Sequence, residues 1–433
     1  MSNQFSSHRK QRLWIGLAAG QYYPYEVHKR RAEIFDLTGQ WDAVEAMARQ
    51  FLSIAGEHGL GRMTAEANLL MCGILAKKGM LDQALTNAAI AQAQYSELRD
   101  PAGLNKVEAQ LGNIYTDLGQ FDTAMEHFEK RLELSRRLGD KPGIMHAVGS
   151  MGTIFHNRGD LNKAEELYNQ WLEIAAGLSH QQAISYALNN LGLVRQQRGD
   201  QAAAMDLFRR KLAIDRRLGD KLGQSYALSN MGNLHRERGE FGRALELYNV
   251  RIALSKELGD SLGLSTAWAN LGELCVATGD RTGAAEHFDR AIETQRNRRF
   301  IYQLCNALLA RAELSFSCGH TDEAAAFCRE SLAVAGEAGR GPVALRCRIL
   351  QARIAAQDDP VKATRILEEL LALDLPDEDR AEVHYHLYLV TNEEAQRAKA
   401  LLLFRELREK AANAEFDCRI AALEKDAPLM RYH

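Results

Sequence analysis

Ser185-Tyr-Ala-Leu-Asn-Asn-Leu-Gly-Leu193, closed by Gly199-Asp200, returns forty residues later as Ser225-Tyr-Ala-Leu-Ser-Asn-Met-Gly-Asn233 with Gly239-Glu240. It returns again as Ser265-Thr-Ala-Trp-Ala-Asn-Leu-Gly-Glu273 with Gly279-Asp280. A fixed period of this size marks a repeat array, in which each unit buries its apolar face against its neighbours. Rows of forty bring out four columns. Gly39, Gly79, Gly119, Gly159, Gly199, Gly239, Gly279 and Gly319 share one phase, and Ala84 to Ala324 share another. Gly112, Gly152, Gly192, Gly232 and Gly272 form a third, and Phe128, Tyr168, Phe208, Tyr248 and Phe288 a fourth.

Each column has a physical reading as part of a pair of antiparallel helices. The first glycine column precedes a polar residue and a new apolar run, so it reads as a helix–helix turn with left-handed backbone. Asp160, Asp200 and Asp280 follow it and suit an N-cap. The alanine column and the second glycine column fall inside helices. A mid-helix glycine costs about 1 kcal/mol relative to alanine, so its repetition points to close helix approach. A second turn lies at Gly139-Asp140, Gly219-Asp220 and Gly259-Asp260, and no proline stands between Pro142 and Pro342. Each unit is expected as helix A (for example 143–158), a turn, helix B (for example 161–177) and another turn. The fold class is all-α, a solenoid of antiparallel helix pairs. An N-terminal segment with a capping helix is expected over 1–30, about nine units over 31–390, and capping helices over 391–433. Pro24 is expected to open the first helix A. Asp358-Asp359-Pro360 is expected to serve as a turn, with Thr364 in the alanine column.

Leu111-Gly112 followed by Tyr115, and Ala124 followed by Phe128, resemble helices A and B of the tetratricopeptide repeat. The forty-residue period and the phrase from Gly219-Asp220 through Ala227 to Asn230-Met231-Gly232-Asn233 are similar to the Pins/LGN form of that family. The resemblance covers about residues 31–350 and is strongest over 103–299. It implies a right-handed superhelix whose concave groove, lined by helix A, holds a peptide segment of a partner protein. Similar repeats occur in bacterial signalling proteins, including quorum-peptide receptors.

If helix A lines that groove, four phases face it. They are Asn190, Asn230 and Asn270; Asn113, Thr153 and Asn233; His146, Tyr186 and Tyr226; and His156, Gln196 and Arg236, with Asn189 beside them. Asparagine both donates and accepts, matching the N–H and C=O groups of an extended chain. Tyrosine adds apolar area with a polar tip. Three asparagines in register read as a ladder along one client; the alternative is a set of bonds to neighbouring helices. The Pins/LGN form carries arginine where Tyr186 and Tyr226 stand, so its preference for acidic peptides does not transfer. The lysine, asparagine and arginine set that clamps a terminal carboxylate in cochaperones is also missing.

Chemistry-bearing motifs are otherwise absent. There is no Gly-Lys dipeptide for a phosphate loop and no H-E-x-x-H. His384 and His386 are two apart on an expected helix and point apart, so they chelate poorly. His235 takes the phase of Tyr115 and reads as a packed side chain. Seven cysteines without a C-x-x-C read as small buried thiols in a reducing cytosol. Lys10 and Arg12 ahead of 13–20 faintly echo an export signal, but the capping helix is the preferred reading. No run of eighteen apolar residues exists, so no membrane span is expected. The 54 basic against 57 acidic residues give a net charge of −3, which disfavours a nucleic-acid partner. Residues 191–260 hold 13 basic against 9 acidic and 351–390 hold 4 against 9, which suits an oppositely charged client or self-association. The expectation is a cytoplasmic, non-catalytic scaffold without cofactor or metal that binds a protein or peptide. The alternative is a peptide-sensing module controlling a signalling or transcriptional output.

Overall fold

The computed structural model describes residues 41–298, 300–337, 340–410 and 414–424. The capping helix expected within 1–30 and the first helix A after Pro24 lie outside these residues. The described residues divide into two compact units: those up to Arg158 with Leu258–Asp260, and those of Gly159–Glu257 and Ser261–His433.

The first unit contains α1 (Trp41–His58), α2 (Gly61–Lys77), α3 (Leu81–Glu97), α4 (Pro101–Asp117), α5 (Phe121–Leu138) and α6 (Lys141–Asn157). Next in the chain come α7 (Leu161–Gly177), α8 (Gln181–Gln197), α9 (Gln201–Leu218), α10 (Lys221–Glu237), α11 (Phe241–Leu258), α12 (Ser261–Thr278) and α13 (Arg281–Arg298). After them come α14 (Ile301–Ser317), α15 (Thr321–Glu337), α16 (Gly341–Ala355), α17 (Pro360–Leu371), α18 (Asp377–Thr391), α19 (Glu394–Lys410) and α20 (Ala414–Glu424). Even-numbered helices up to α16 are the A helices. Within each unit consecutive helices pack together, and A helices touch the next A helix: α2 with α4 and α4 with α6 in the first unit, α8 with α10, α10 with α12 and α12 with α14 in the second. The fold is an all-α helical repeat solenoid.

The turns form as their residues dictate. Gly159, Gly199 and Gly279 adopt φ of 79°, 77° and 81°, where a side chain is strained. The following aspartates cap: Asp160 accepts from the Lys163 amide at 3.0 Å, Asp200 from Ala203 at 3.0 Å and Asp280 from Gly283 at 2.9 Å.

The second glycine column has a direct cause. A Cβ on Gly112, Gly192, Gly232 or Gly272 would lie 2.5–2.6 Å from the ring of Phe128, Phe208, Tyr248 or Phe288. Helix A gives up a side chain so that the ring of helix B can lie on its backbone, and these rings are at most 1 % exposed. The row of α14 and α15 inverts the arrangement. Cys328 stands in the aromatic column, no ring needs the space, and Ala312 stands where those four rows have glycine. Both are fully buried.

The period slips once. Ala363, not Thr364, is the buried small residue of α17, and Thr364 is partly exposed. α16 ends at Ala355 and Pro360 starts α17, with Asp359 accepting from the Lys362 amide at 2.9 Å. Helix B therefore begins one residue early, and its inward face moves back by one.

Candidate functional site

In the first unit, α4 carries Asn113 and α6 carries His146, both exposed, while Thr153 and His156 are half-buried. The Thr153 hydroxyl donates to its own helix at Gly149 O, 3.2 Å away.

In the second unit, α8 exposes Tyr186 and α10 exposes Tyr226, at 41 % and 46 %. The Tyr186 hydroxyl accepts from Gln182 Nε2 at 3.0 Å, and Lys211 Nζ lies 5.7 Å from its ring centroid. The amides of α8 and α10 join: Asn230 Nδ2 donates to Asn189 Oδ1 at 2.9 Å, and Asn189 Nδ2 to Asn190 Oδ1 at 3.3 Å. Asn270 is only 9 % exposed and donates to Ser229 Oγ at 2.9 Å, which also accepts from Arg251 Nη1 at 2.5 Å. The three in-register asparagines are therefore not one uniform exposed row. Asn190 and Asn230 belong to a half-exposed amide chain, whereas Asn270 is drawn into the contact between helices. Further along, Gln196 Nε2 donates to Glu237 Oε1 at 2.7 Å, and Arg236 pairs with Glu273 at 2.9 Å. Asn233 Oδ1 accepts from the Tyr248 hydroxyl at 2.7 Å, and burial pushes that phenol up to about 12.

Of these residues Tyr226, Asn230, Asn233 and Asn270 border a depression of about 290 Å³ across α10, α12 and α14. Its walls are Tyr226, Asn230, Asn233, Thr266, Asn270 and Gln303, with Ser229 and Arg251 also lining it. Hydroxyls, amides and one guanidinium make up its polar surface, and no carboxylate is among the lining residues. Sequence reasoning named the asparagines and Tyr226 but missed Gln303, Thr266, Ser229 and Arg251. Gln303 had a signal: it breaks a column of small residues, Gly143, Ala183, Gly223 and Gly263. Arg251 had none, because it reaches this face from a B helix.

His235 is buried as expected, and its Nδ1 sits 2.9 Å from Glu240 Oε2. His384 Nδ1 is 2.7 Å from Gln396 Oε1, and His386 lies 3.6 Å from Glu382. Among the described residues no group of three or more metal-ligating side chains occurs, and no helix is long and apolar enough to cross a membrane.

Residues 103–177 and 183–257 match a family model described as tetratricopeptide repeat, and residues 267–300 match a second of the same description. Residues 284–341 match a model of anaphase-promoting complex subunit 5. No curated protein matches the sequence. Among solved structures the chain is similar to a Rap protein complexed with competence and sporulation factor: TM-score 0.55, 14% identity, covering 84% of this chain and 98% of that one. The apo form of the quorum sensor NprR from B. thuringiensis gives a TM-score of 0.51 at 12% identity, over 80% and 98%. Aspartyl phosphate phosphatase F from Bacillus subtilis gives 0.50 at 16%, over 66% and 75%. At such identities the likeness is one of fold. With the repeated helix pairs and the glycine–aromatic packing, the family-model matches identify tetratricopeptide repeats in this chain over residues 103–177, 183–257 and 267–300.

Proposed function

We propose that the protein is a non-catalytic interaction scaffold that holds an extended peptide segment of a partner protein along its A helices. The observation that carries this reading is the depression between α10, α12 and α14, lined by Tyr226, Asn230, Asn233 and Thr266. A peptide laid there meets amides able both to donate and to accept, and a tyrosine face for its side chains. The same reading gives Asn113, His146 and His156 a parallel role in the first unit. The array spans 31–390, with 391–433 as a cap, and acts in the cytoplasm without nucleic acid.

Peptides selected from a displayed random library on the full chain test this. Calorimetric titration of a selected peptide is expected to show at least about tenfold weaker binding to Asn230→Ala combined with Tyr226→Ala, at unchanged helicity. Equal affinity for the double variant and the original would remove this surface from the function.

A second reading is favoured by the fold shared with a Rap protein complexed with competence and sporulation factor and with the quorum sensor NprR. On that reading the bound peptide is a signal and the array controls an output protein. Peptide-dependent gain or loss of a co-purifying partner distinguishes it from a passive scaffold.

A further inference from the structure

We propose that Cys328 and Cys347 are a dithiol modification site, able to close a disulfide that staples α15 to α16. The inference is independent of peptide binding and begins with the repeat itself. Cys328 occupies the column held elsewhere by Phe128, Phe208, Tyr248 and Phe288. Cys347 occupies a column held by Ala147, Ala187, Ala227, Ala267 and Ala307. One row has thus exchanged a ring for a thiol, and the next has exchanged a methyl for a thiol. The two replacements meet in one core cluster with Cys305, Leu309 and Leu350.

The contact is direct. Cys328 Sγ donates to the backbone oxygen of Cys347 at 3.2 Å, and Cys347 Sγ lies 3.1 Å from Ser331 Oγ, one turn from Cys328. The neighbouring Cys347 side chain and burial push the Cys328 thiol up, whereas Cys328 and Ser331 hold the Cys347 thiol down. In the proposed exchange Cys347 attacks and Cys328 resolves. Both sulfurs are fully buried and free in this structure, so a small oxidant reaches them only during local opening of the helix pair.

The oxidant is a low-molecular-weight disulfide. Cys347 thiolate attacks one of its sulfurs and releases one thiol, leaving a mixed disulfide on Cys347. Cys328, losing its proton to solvent, then attacks the Cys347 sulfur and releases the second thiol. The pair loses two electrons and two protons, and the reagent is reduced to two thiols. A bridge here would join helix B of one row to helix A of the next, whose contact is otherwise non-covalent.

The test uses the full chain, treated with glutathione disulfide below its unfolding temperature, alkylated and digested. Fragmentation is expected to identify a Cys328–Cys347 link, distinguished from Cys318 in the same tryptic peptide, with loss of alkylation at both cysteines and full reversal by dithiothreitol. The thermal midpoint is expected to rise on oxidation in the original chain and in Cys318→Ser, but not in Cys328→Ser. Complete alkylation of Cys328 and Cys347 under conditions that oxidise the exposed Cys418 would overturn the proposal. So would a bridge from either cysteine to another partner.

Discussion

Gly232 and Tyr248 share one space: a Cβ on the glycine would stand 2.5 Å from Cε1 of the ring. Gly232→Ala is accordingly expected to destabilise the protein by about 1–3 kcal/mol through overpacking, despite the gain of about 1 kcal/mol in helix propensity. Guanidinium unfolding monitored by circular dichroism measures it. Adding Tyr248→Leu is expected to recover part of the loss, since the two sites are in contact and their effects should not add.

The same tyrosine makes stability depend on pH. Its phenol is raised from 10.0 to about 12, chiefly by burial. A group raised in the folded state contributes fully below its unfolded value and loses that contribution as pH climbs through the folded one. Stability is therefore expected to fall between about pH 10 and 12, by up to roughly 2–3 kcal/mol. Tyr248→Phe, which installs the residue of neighbouring rows, is expected to remove that part of the slope. Unfolding midpoints recorded from pH 8 to 12 for both proteins provide the check.

Lys211 is 1 % exposed and pairs with the fully buried Asp215 at 2.8 Å, and Ser185 bonds to both. Lys211→Met leaves a buried carboxylate uncompensated and is expected to cost about 3–5 kcal/mol. The triple change Lys211→Met, Asp215→Leu and Ser185→Ala removes the whole polar group and is expected to be near neutral. Denaturation curves for the two variants should differ accordingly; equal losses would mean that the charge balance is not what the pair supplies.

The asparagines are expected to separate into two kinds. Asn270→Ala removes a buried bond to Ser229 and should cost about 1 kcal/mol of stability. Asn113→Ala, on an exposed surface, should stay within about 0.5 kcal/mol. Thermal unfolding of both variants under one set of conditions makes the comparison.

The period revealed where chain direction reverses because the turn residues act locally. Asp200 caps Ala203 and Gly199 bends left-handed with no help from distant parts of the chain. Helix faces were equally legible, since 3.6-residue geometry sends Asn190 and Asn230 the same way. Partner choice was not. Asn190 shares the phase of Asn230, yet Asn230 bonds Asn189, a pairing that the period does not name. Arg251 escaped notice for a related reason: a long side chain on helix B lines a surface that phase alone assigns to helix A. The shift from Thr364 to Ala363 was hidden because a single early proline moves a helix without altering its apolar pattern.

The pairing of glycine with a ring in four rows, against Ala312 with Cys328 in another, limits how this chain can be recombined. Each combination is a matched cassette. A chimera carrying helix A of the α14 row beside helix B of the α12 row would drive the Ala312 methyl into Phe288. The reverse graft would set Gly272 opposite Cys328 and leave a void. Swaps made at the turn between two rows keep each combination whole, whereas cuts inside a row split it, so shuffled arrays should survive or fail according to which turn is chosen.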